Sequence, residues 1–176
     1  MPTIISHGVL AAGLGNMLAS GRLPARFWVL SVLCSILPDF DVVSFHLGIR
    51  YEDMLGHRGL THSLAFALAS SLIVVFVAFP RLPRGWSRLS LISYFFVVTA
   101  SHGFLDAMTD GGLGIAFFAP FDDTRYFLPF RPIRVSPIGR DFLGAQGLDV
   151  IMSEIVWVWF PVLAIVCAVR FYRHLR

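Results

Sequence analysis

Long apolar stretches joined by short polar connections constrain this chain more than any other feature. They cover residues 27–37, 64–79, 89–105, 155–171 and 4–19, the last interrupted by glycines and an asparagine. The sequence is 56% hydrophobic and 14% charged, whereas soluble domains are about 45–50% apolar and about 25% charged. This composition excludes a soluble domain. We therefore predict an all-α integral membrane bundle of about five transmembrane helices, forming one domain over residues 1–176.

The arginines predict how these helices are oriented. All 14 basic residues are arginines, and the connections 21–26 and 80–88 and the tail from residue 170 contain arginines but no acid. Positively charged connections stay on the cytoplasmic side, so we expect the N-terminus outside and the C-terminus in the cytoplasm. No positive charge precedes the first apolar stretch, which predicts an uncleaved helix rather than a signal peptide. Because the arginines form no continuous stripe, we expect no nucleic acid partner.

The acidic residues and most histidines fall at the opposite helix ends. All 11 acids lie within 39–53, within 106–149 or at Glu154, and only His174 of the six histidines lies in the basic tail. Ionisable groups at membrane depth are costly and tend to mark function. The convergence therefore predicts a functional site on the outer, periplasmic side of the membrane.

Two short stretches on that side carry ligand-type residues. Asp39 and Asp41 end the second apolar segment, and both would face one centre if the chain turned there. His57 and His62 belong to the sequence HRGLTHS, just before the third segment. We expect Thr61 to cap the third helix, which would place His62 in its first turn.

A third stretch completes the set. His102 and Asp106 are four residues apart near the end of the fourth segment, hence on one helical face. Taken singly, such residues are usually hydrogen-bond partners or helix caps, but imidazole with carboxylate is the ligand set that zinc and other divalent first-row metals prefer. We predict one or two divalent ions, zinc first and manganese as the alternative. The candidate ligands are His7, Asp39, His57, His62, His102 and Asp106, with Glu154 as a further possibility.

These residues resemble a known family. The Asp39-Phe40-Asp41 element, the HRGLTHS stretch and the His102…Asp106 pair are similar to those of bacterial inner-membrane metal-dependent hydrolases associated with LexA regulation. The segments 111–114, 119–121 and 125–127 look like the same family, and the resemblance covers residues 7–139. It implies an inner-membrane location and metal-dependent hydrolysis, and it implies the reaction class more firmly than the substrate.

A more distant similarity is to zinc-dependent phospholipase C and the P1-type nucleases, whose metals are held by a His-xxx-Asp pair. His102 and Asp106 match that pair. The His-xxx-Glu pair of those enzymes is missing, since no histidine lies four residues before Glu154. This departure favours one or two ions over three.

Together these features predict a hydrolase in which a metal-activated water attacks a phosphoester of a lipid or lipid-linked substrate. Asp41 would orient the water or act as general base. Arg58 would bind the phosphoryl group, or alternatively form a salt bridge with a neighbouring acid. The outer segment 107–149 is either a packed loop or a lid whose aromatic residues contact acyl chains and whose arginines bind phosphate. Those arginines are Arg125, Arg131, Arg134 and Arg140.

Two other functions compete with hydrolysis. A metal-ion or proton transporter would also bury histidines and aspartates, but it should carry such groups along the whole membrane depth, and the cytoplasmic halves of the helices have almost none. A non-catalytic scaffold would use the metal only to tie helices together. A membrane metalloprotease is disfavoured because the chain contains no HExxH sequence.

Overall fold

A computed structural model describes residues 1–19, 21–137 and 142–176. Six α-helices account for most of them: α1 (Ile4–Leu18), α2 (Ala25–Ile36), α3 (Leu64–Ala78), α4 (Arg88–Ala107), α5 (Ala145–Glu154) and α6 (Phe160–His174). A 3-10 helix, Leu37–Leu47, continues α2, a 3-10 turn, Leu60–His62, precedes α3, and a π-helical turn, Ile155–Trp159, joins α5 to α6. The described residues form no strand beyond two isolated β-bridges. The predicted all-α membrane bundle is confirmed; Arg140 lies outside the described residues.

The helices differ in length. Within the described residues, three helical stretches are long and apolar enough to cross a membrane: Ala25–Leu47, Arg88–Ala107 and Ala145–His174. The α1 and α3 helices are apolar but have only 15 residues each, about 22 Å at ~1.5 Å per residue. The hydrocarbon core of a bilayer is about 30 Å thick. Each of these two helices is therefore about 8 Å shorter than the hydrocarbon core.

The half of the bundle near the arginine-containing connections 21–26 and 80–88 is held by aromatic packing. The α4 helix packs against α1, α2 and α3, and α6 packs against α1. Between them the ring of Phe27 stacks on Tyr94 with centroids 4.6 Å apart, and Phe79 and Phe95 pack beside it. The Arg26 guanidinium lies over the ring of Phe79, 5.1 Å from its centroid. Apolar packing at this end leaves the polar residues to gather at the other.

The outer segment is a packed loop over its described part. Isolated bridges join Thr109 to Ile133 and Ile115 to Tyr126, and Ile115 and Ile133 are fully buried. Gly114 is required there, because a Cβ atom would lie 2.7 Å from the backbone nitrogen of Tyr126. The helical stretch that runs from α5 through α6 begins at Ala145, ten residues before the predicted apolar stretch 155–171. Whether this segment also moves as a lid stays a prediction.

The described arginines of this segment are engaged within the protein. The Arg125 guanidinium donates to the backbone carbonyls of His57, Tyr51 and Asp53. Arg134 pairs with Asp110 at 2.9 Å. Arg131 lies over the ring of Phe127, 4.7 Å from its centroid. These contacts favour a structural role over the expected binding of phosphate.

Candidate metal centre

Two aspartates and two histidines from three parts of the chain meet at the end of the bundle away from the connections 21–26 and 80–88. Asp39 comes from the 3-10 helix after α2, His62 from the turn before α3, and His102 and Asp106 from the last turns of α4. One ligand atom of each lies within 4.8 Å of the others, and all four residues are buried. The His102 Nε2 atom is 3.1 Å from His62 Nε2 and 3.2 Å from Asp39 Oδ1. The four ligand atoms thus surround one point.

Several buried polar atoms in and beside this group are unpaired. Neither carboxylate oxygen of Asp106, nor Asp39 Oδ2, nor either ring nitrogen of His7 has a hydrogen-bond partner among the described residues. Buried polar atoms in native proteins are nearly always paired, because leaving one unpaired costs about 1–3 kcal/mol. Carboxylate oxygens and imidazole nitrogens are ligands of divalent metals. These residues therefore fit a bound metal ion.

Partners outside the four-ligand group orient its two histidines. The Nδ1 atom of His102 donates to the backbone carbonyl of Ser35 at 2.7 Å. The Nδ1 atom of His62 lies 3.1 Å from Asp41 Oδ2. Because carbonyl and carboxylate oxygens only accept, these contacts assign the N–H to Nδ1 and leave a lone pair on each Nε2. Metal-ligating histidines usually have such a partner.

Asp41 organises a second layer of the site. Its Oδ1 atom lies 2.6 Å from His57 Nδ1, while Oδ2 accepts from the Thr61 hydroxyl at 2.6 Å and from the Arg58 backbone N–H at 3.1 Å. Asp41, His57 and His62 form a second group that could hold an ion. The structure thus places His57 beside Asp41 and outside the four-ligand group.

The predicted cap of α3 is corrected. Thr61 donates its hydroxyl to Asp41 instead of capping the helix. Ser63 is the cap, because its Oγ atom accepts from the backbone N–H of Phe66 at 3.1 Å. His62 therefore lies in the 3-10 turn before α3, where it faces α4.

The carboxylates give the site a negative field. Burial by itself lowers the pKa of His62, but the nearby carboxylates of Asp106, Asp39 and Asp41 outweigh burial and raise that pKa to about 10, so a metal ion that bound Nε2 would displace the proton there. A group of buried acceptors that stabilises positive charge this strongly also favours a bound cation.

His7 approaches the centre from α1. Its ring stacks on that of His102, with centroids 3.8 Å apart and planes 14° apart. Its Nε2 atom is 3.6 Å from Asp106 Oδ1. His7 is therefore next to the four-ligand group, on the side of Asp106.

Arg58 does not have the geometry of a phosphate clamp. Its side chain is only 1% exposed, and its Nε atom lies 3.3 Å from Asp106 Oδ2. Its Nη1 atom donates to the carbonyls of Gly111 and Leu113, and Nη2 to the hydroxyl of Thr109. All three guanidinium nitrogens face protein atoms. The expectation of phosphate binding is corrected to its alternative, an ion pair with a neighbouring acid.

Glu154 also lies apart from the metal centre. Its carboxylate accepts from the backbone N–H of Thr3 at 2.5 Å and from the hydroxyls of Thr3 and Ser6 at 2.6 Å each. These donors occupy both oxygens, so we correct the expectation that Glu154 is a ligand.

Comparisons with known proteins identify the family. The model of a family described as YdjM inner membrane protein matches residues 1–175. The chain is also 38% identical over 165 residues to inner membrane protein YbcI of Escherichia coli (strain K12), covering 92% of each chain. No solved structure matches. The chain therefore belongs to the YdjM inner membrane protein family, while the likeness to phospholipase C and P1-type nucleases stays a prediction.

Proposed function

We propose that this member of the YdjM inner membrane protein family is a metal-dependent hydrolase that acts within the membrane. The observation that carries the proposal is the buried group of Asp39, His62, His102 and Asp106, in which one ligand atom of each residue lies within 4.8 Å of the others. A divalent ion held there, with zinc as the first choice, supplies Lewis-acid activation of a water for hydrolysis.

The second layer of the site supplies a group for proton transfer. His57 is 3% exposed and its Nδ1 atom donates to Asp41. This contact leaves the Nε2 lone pair of His57 free to accept a proton, as a general base requires. We infer that Asp41 orients His57 and His62 rather than contacting water itself, which revises the role expected for it from the sequence.

The depth of the site favours a lipid substrate. His102 follows Arg88, the first residue of α4, by about 21 Å at ~1.5 Å per residue. With a hydrocarbon core of about 30 Å, this length leaves the ligands about 9 Å inside the opposite boundary, below the plane of the lipid phosphoesters, where a substrate would have to enter from the bilayer. Asp39 is the most exposed ligand at 8%, and its neighbours Phe40 and Val43 are 63% and 52% exposed. We infer that a lipid or lipid-linked phosphoester approaches along this apolar side.

Metal content and hydrolysis measured together test the proposal. The detergent-purified protein is analysed by metal mass spectrometry beside His102→Ala and His62→Ala, with the exposed His46→Ala as matched control. We expect about one equivalent of zinc or manganese in the wild type and control, and loss of it in the other two. The same proteins are incubated with vesicles of phosphatidylglycerol and phosphatidylethanolamine, and released phosphate and headgroup are measured. Metal binding without hydrolysis of either lipid would contradict the lipid-phosphoester proposal.

One observation favours a second candidate, a metal-stabilised scaffold. Asp106 and His102 are fully buried and His62 nearly so, and closed four-ligand sites are typical of structural zinc. A scaffold predicts that metal removal unfolds the protein while the metal-loaded protein hydrolyses nothing. A transporter gains no support from the described residues, since α3 has no ionisable group along its length.

A further inference from the structure

The carboxylate of Glu154 joins the end of α5 to the start of α1. Glu154 is the last residue of α5, is fully buried, and accepts three hydrogen bonds from Thr3 and Ser6. Thr3 directly precedes α1 and makes no side-chain cap of its own. A carboxylate is favoured at a helix N-terminus by the free N–H groups and the helix dipole. Glu154 therefore caps α1 from another helix.

A π-helical turn adds a second contact to this junction. The backbone N–H of Phe160 bonds to the carbonyl of Ile155, five residues earlier. This wide turn places the indole N–H of Trp159 2.7 Å from the Ser6 hydroxyl, which itself donates to Glu154. Ser6 is thus fixed from two sides by the same helical segment. Single π turns inside α-helices occur frequently at functional sites.

The residue after Ser6 is His7, which lacks a hydrogen-bonded partner of its own. His62 is oriented by Asp41, and His102 by the Ser35 carbonyl, whereas both ring nitrogens of His7 are unpaired among the described residues. The position of the His7 ring therefore depends on its stacking on His102 and on how α1 is seated.

We propose that Glu154 is a positioning residue for the metal centre: its bonds to Thr3 and Ser6 set the depth and rotation of α1 and so hold His7 against Asp106. This inference rests on the proposed metal centre but assigns Glu154 no ligand role. In Glu154→Gln an amide nitrogen replaces one carboxylate oxygen, and it cannot accept the hydrogen bonds that this oxygen accepts in the wild type. The start of α1 then loses part of its anchor, and His7 moves away from the site.

A double-mutant cycle tests the proposal. The full chain is prepared as wild type, Glu154→Gln, His7→Ala and the double variant, with Glu52→Gln, an exposed acid, as control. The affinity for Zn²⁺ alone is measured by competition with a chromophoric chelator. Loss of an outer-shell partner typically weakens metal binding about 10–100-fold, and we expect a loss of at least tenfold in Glu154→Gln. In the His7→Ala background the same substitution should change the affinity less than twofold.

The visible absorption of bound Co²⁺ provides a second readout that general destabilisation does not mimic. We expect the spectrum of Glu154→Gln to shift toward that of His7→Ala, and the spectrum of Glu52→Gln to match the wild type. If Glu154→Gln does not fold, Thr3→Val removes one of the hydroxyls and should shift the spectrum in the same direction.

Equal losses of affinity in the wild-type and His7→Ala backgrounds, or an unchanged Co²⁺ spectrum, would overturn the positioning role while leaving the metal centre intact. A wild-type protein that binds no Zn²⁺ would overturn the metal centre itself. The two failures are therefore distinguishable.

Discussion

Arg58 and Asp106 form an ion pair in which Nε and Oδ2 are 3.3 Å apart and neither side chain is more than 1% exposed. The same carboxylate faces the proposed metal position, so Asp106 has a positive group on each side. Three aspartates, Asp39, Asp41 and Asp106, and this one arginine are buried together. With one divalent ion and neutral histidines the group has no net charge, which is the condition under which burying charges costs least.

Removing the arginine should destabilise the protein strongly. We expect Arg58→Met to lower the free energy of unfolding by about 3–5 kcal/mol, because the substitution leaves one negative charge of the buried aspartates uncompensated. Thermal unfolding in detergent measures the effect, with the exposed Arg84→Met as control. An Arg58→Met protein as stable as the control would contradict the role of this ion pair.

Metal removal should destabilise the protein through the same carboxylates. A chelator leaves Asp39 and Asp106 with unpaired buried oxygens, whereas Zn²⁺ at 100 times its Kd should stabilise the folded state by about 2.7 kcal/mol. We expect Zn²⁺ to raise the unfolding temperature of the wild type and to leave that of Asp106→Asn nearly unchanged. An equal rise in both proteins would indicate that zinc binds elsewhere.

The number of ions depends on Asp41. If Asp41 only orients His57 and His62, Asp41→Asn should weaken zinc binding about 10–100-fold and leave the saturating stoichiometry at one. If the group of Asp41, His57 and His62 holds its own ion, the stoichiometry should fall from two to one. We expect the first result. Isothermal titration with zinc distinguishes the two, and the exposed Asp123→Asn is the control.

The lack of a Cβ atom at Gly103 lets His62 lie close to His102. A Cβ atom there would lie 3.0 Å from the His62 carbonyl oxygen, so Gly103→Ala should push His62 away from His102. We expect weaker zinc binding although alanine favours the α-helix. In Gly8→Ala, next to His7, the new atom would meet only a Val32 methyl at 3.8 Å, and zinc affinity should stay at the wild-type value. Equal zinc affinities of the two variants would show that the close contact at Gly103 does not control zinc binding.

Hydropathy and helical spacing predicted the bundle and the end of it at which the ionisable residues meet, while the side of the membrane that this end faces stays a prediction. His102 and Asp106 were predictable as a pair because residues four apart share a helical face. His57 and His62 look equivalent in the sequence. Asp41 lies against the Nδ1 atom of each, and only the tertiary structure separates them, because it places His62 in the group with Asp39, His102 and Asp106 and leaves His57 outside that group.

The predicted roles of Arg58 and Thr61 were wrong because each residue contacts partners that are distant in the sequence. Arg58 donates to the backbone carbonyls of Gly111 and Leu113, more than 50 positions further along the chain. Every residue has a backbone carbonyl, so the residue types at these positions do not indicate the contact. Thr61 and Ser63 are both good helix caps. Which of them caps α3 is decided by Asp41, which takes the hydroxyl of Thr61.

The 15-residue lengths of α1 and α3 have a consequence for the surrounding lipid. A span some 8 Å shorter than the hydrocarbon core creates a hydrophobic mismatch, which a bilayer relieves by thinning locally at a cost of fractions of a kcal/mol per Å. We expect the bilayer to be thinned around α1 and α3, which would bring lipid headgroups and water closer to His7 and His62. The protein should accordingly enrich in thin regions of the membrane, and the deformation would deliver phosphoesters to a depth that an undisturbed leaflet does not offer.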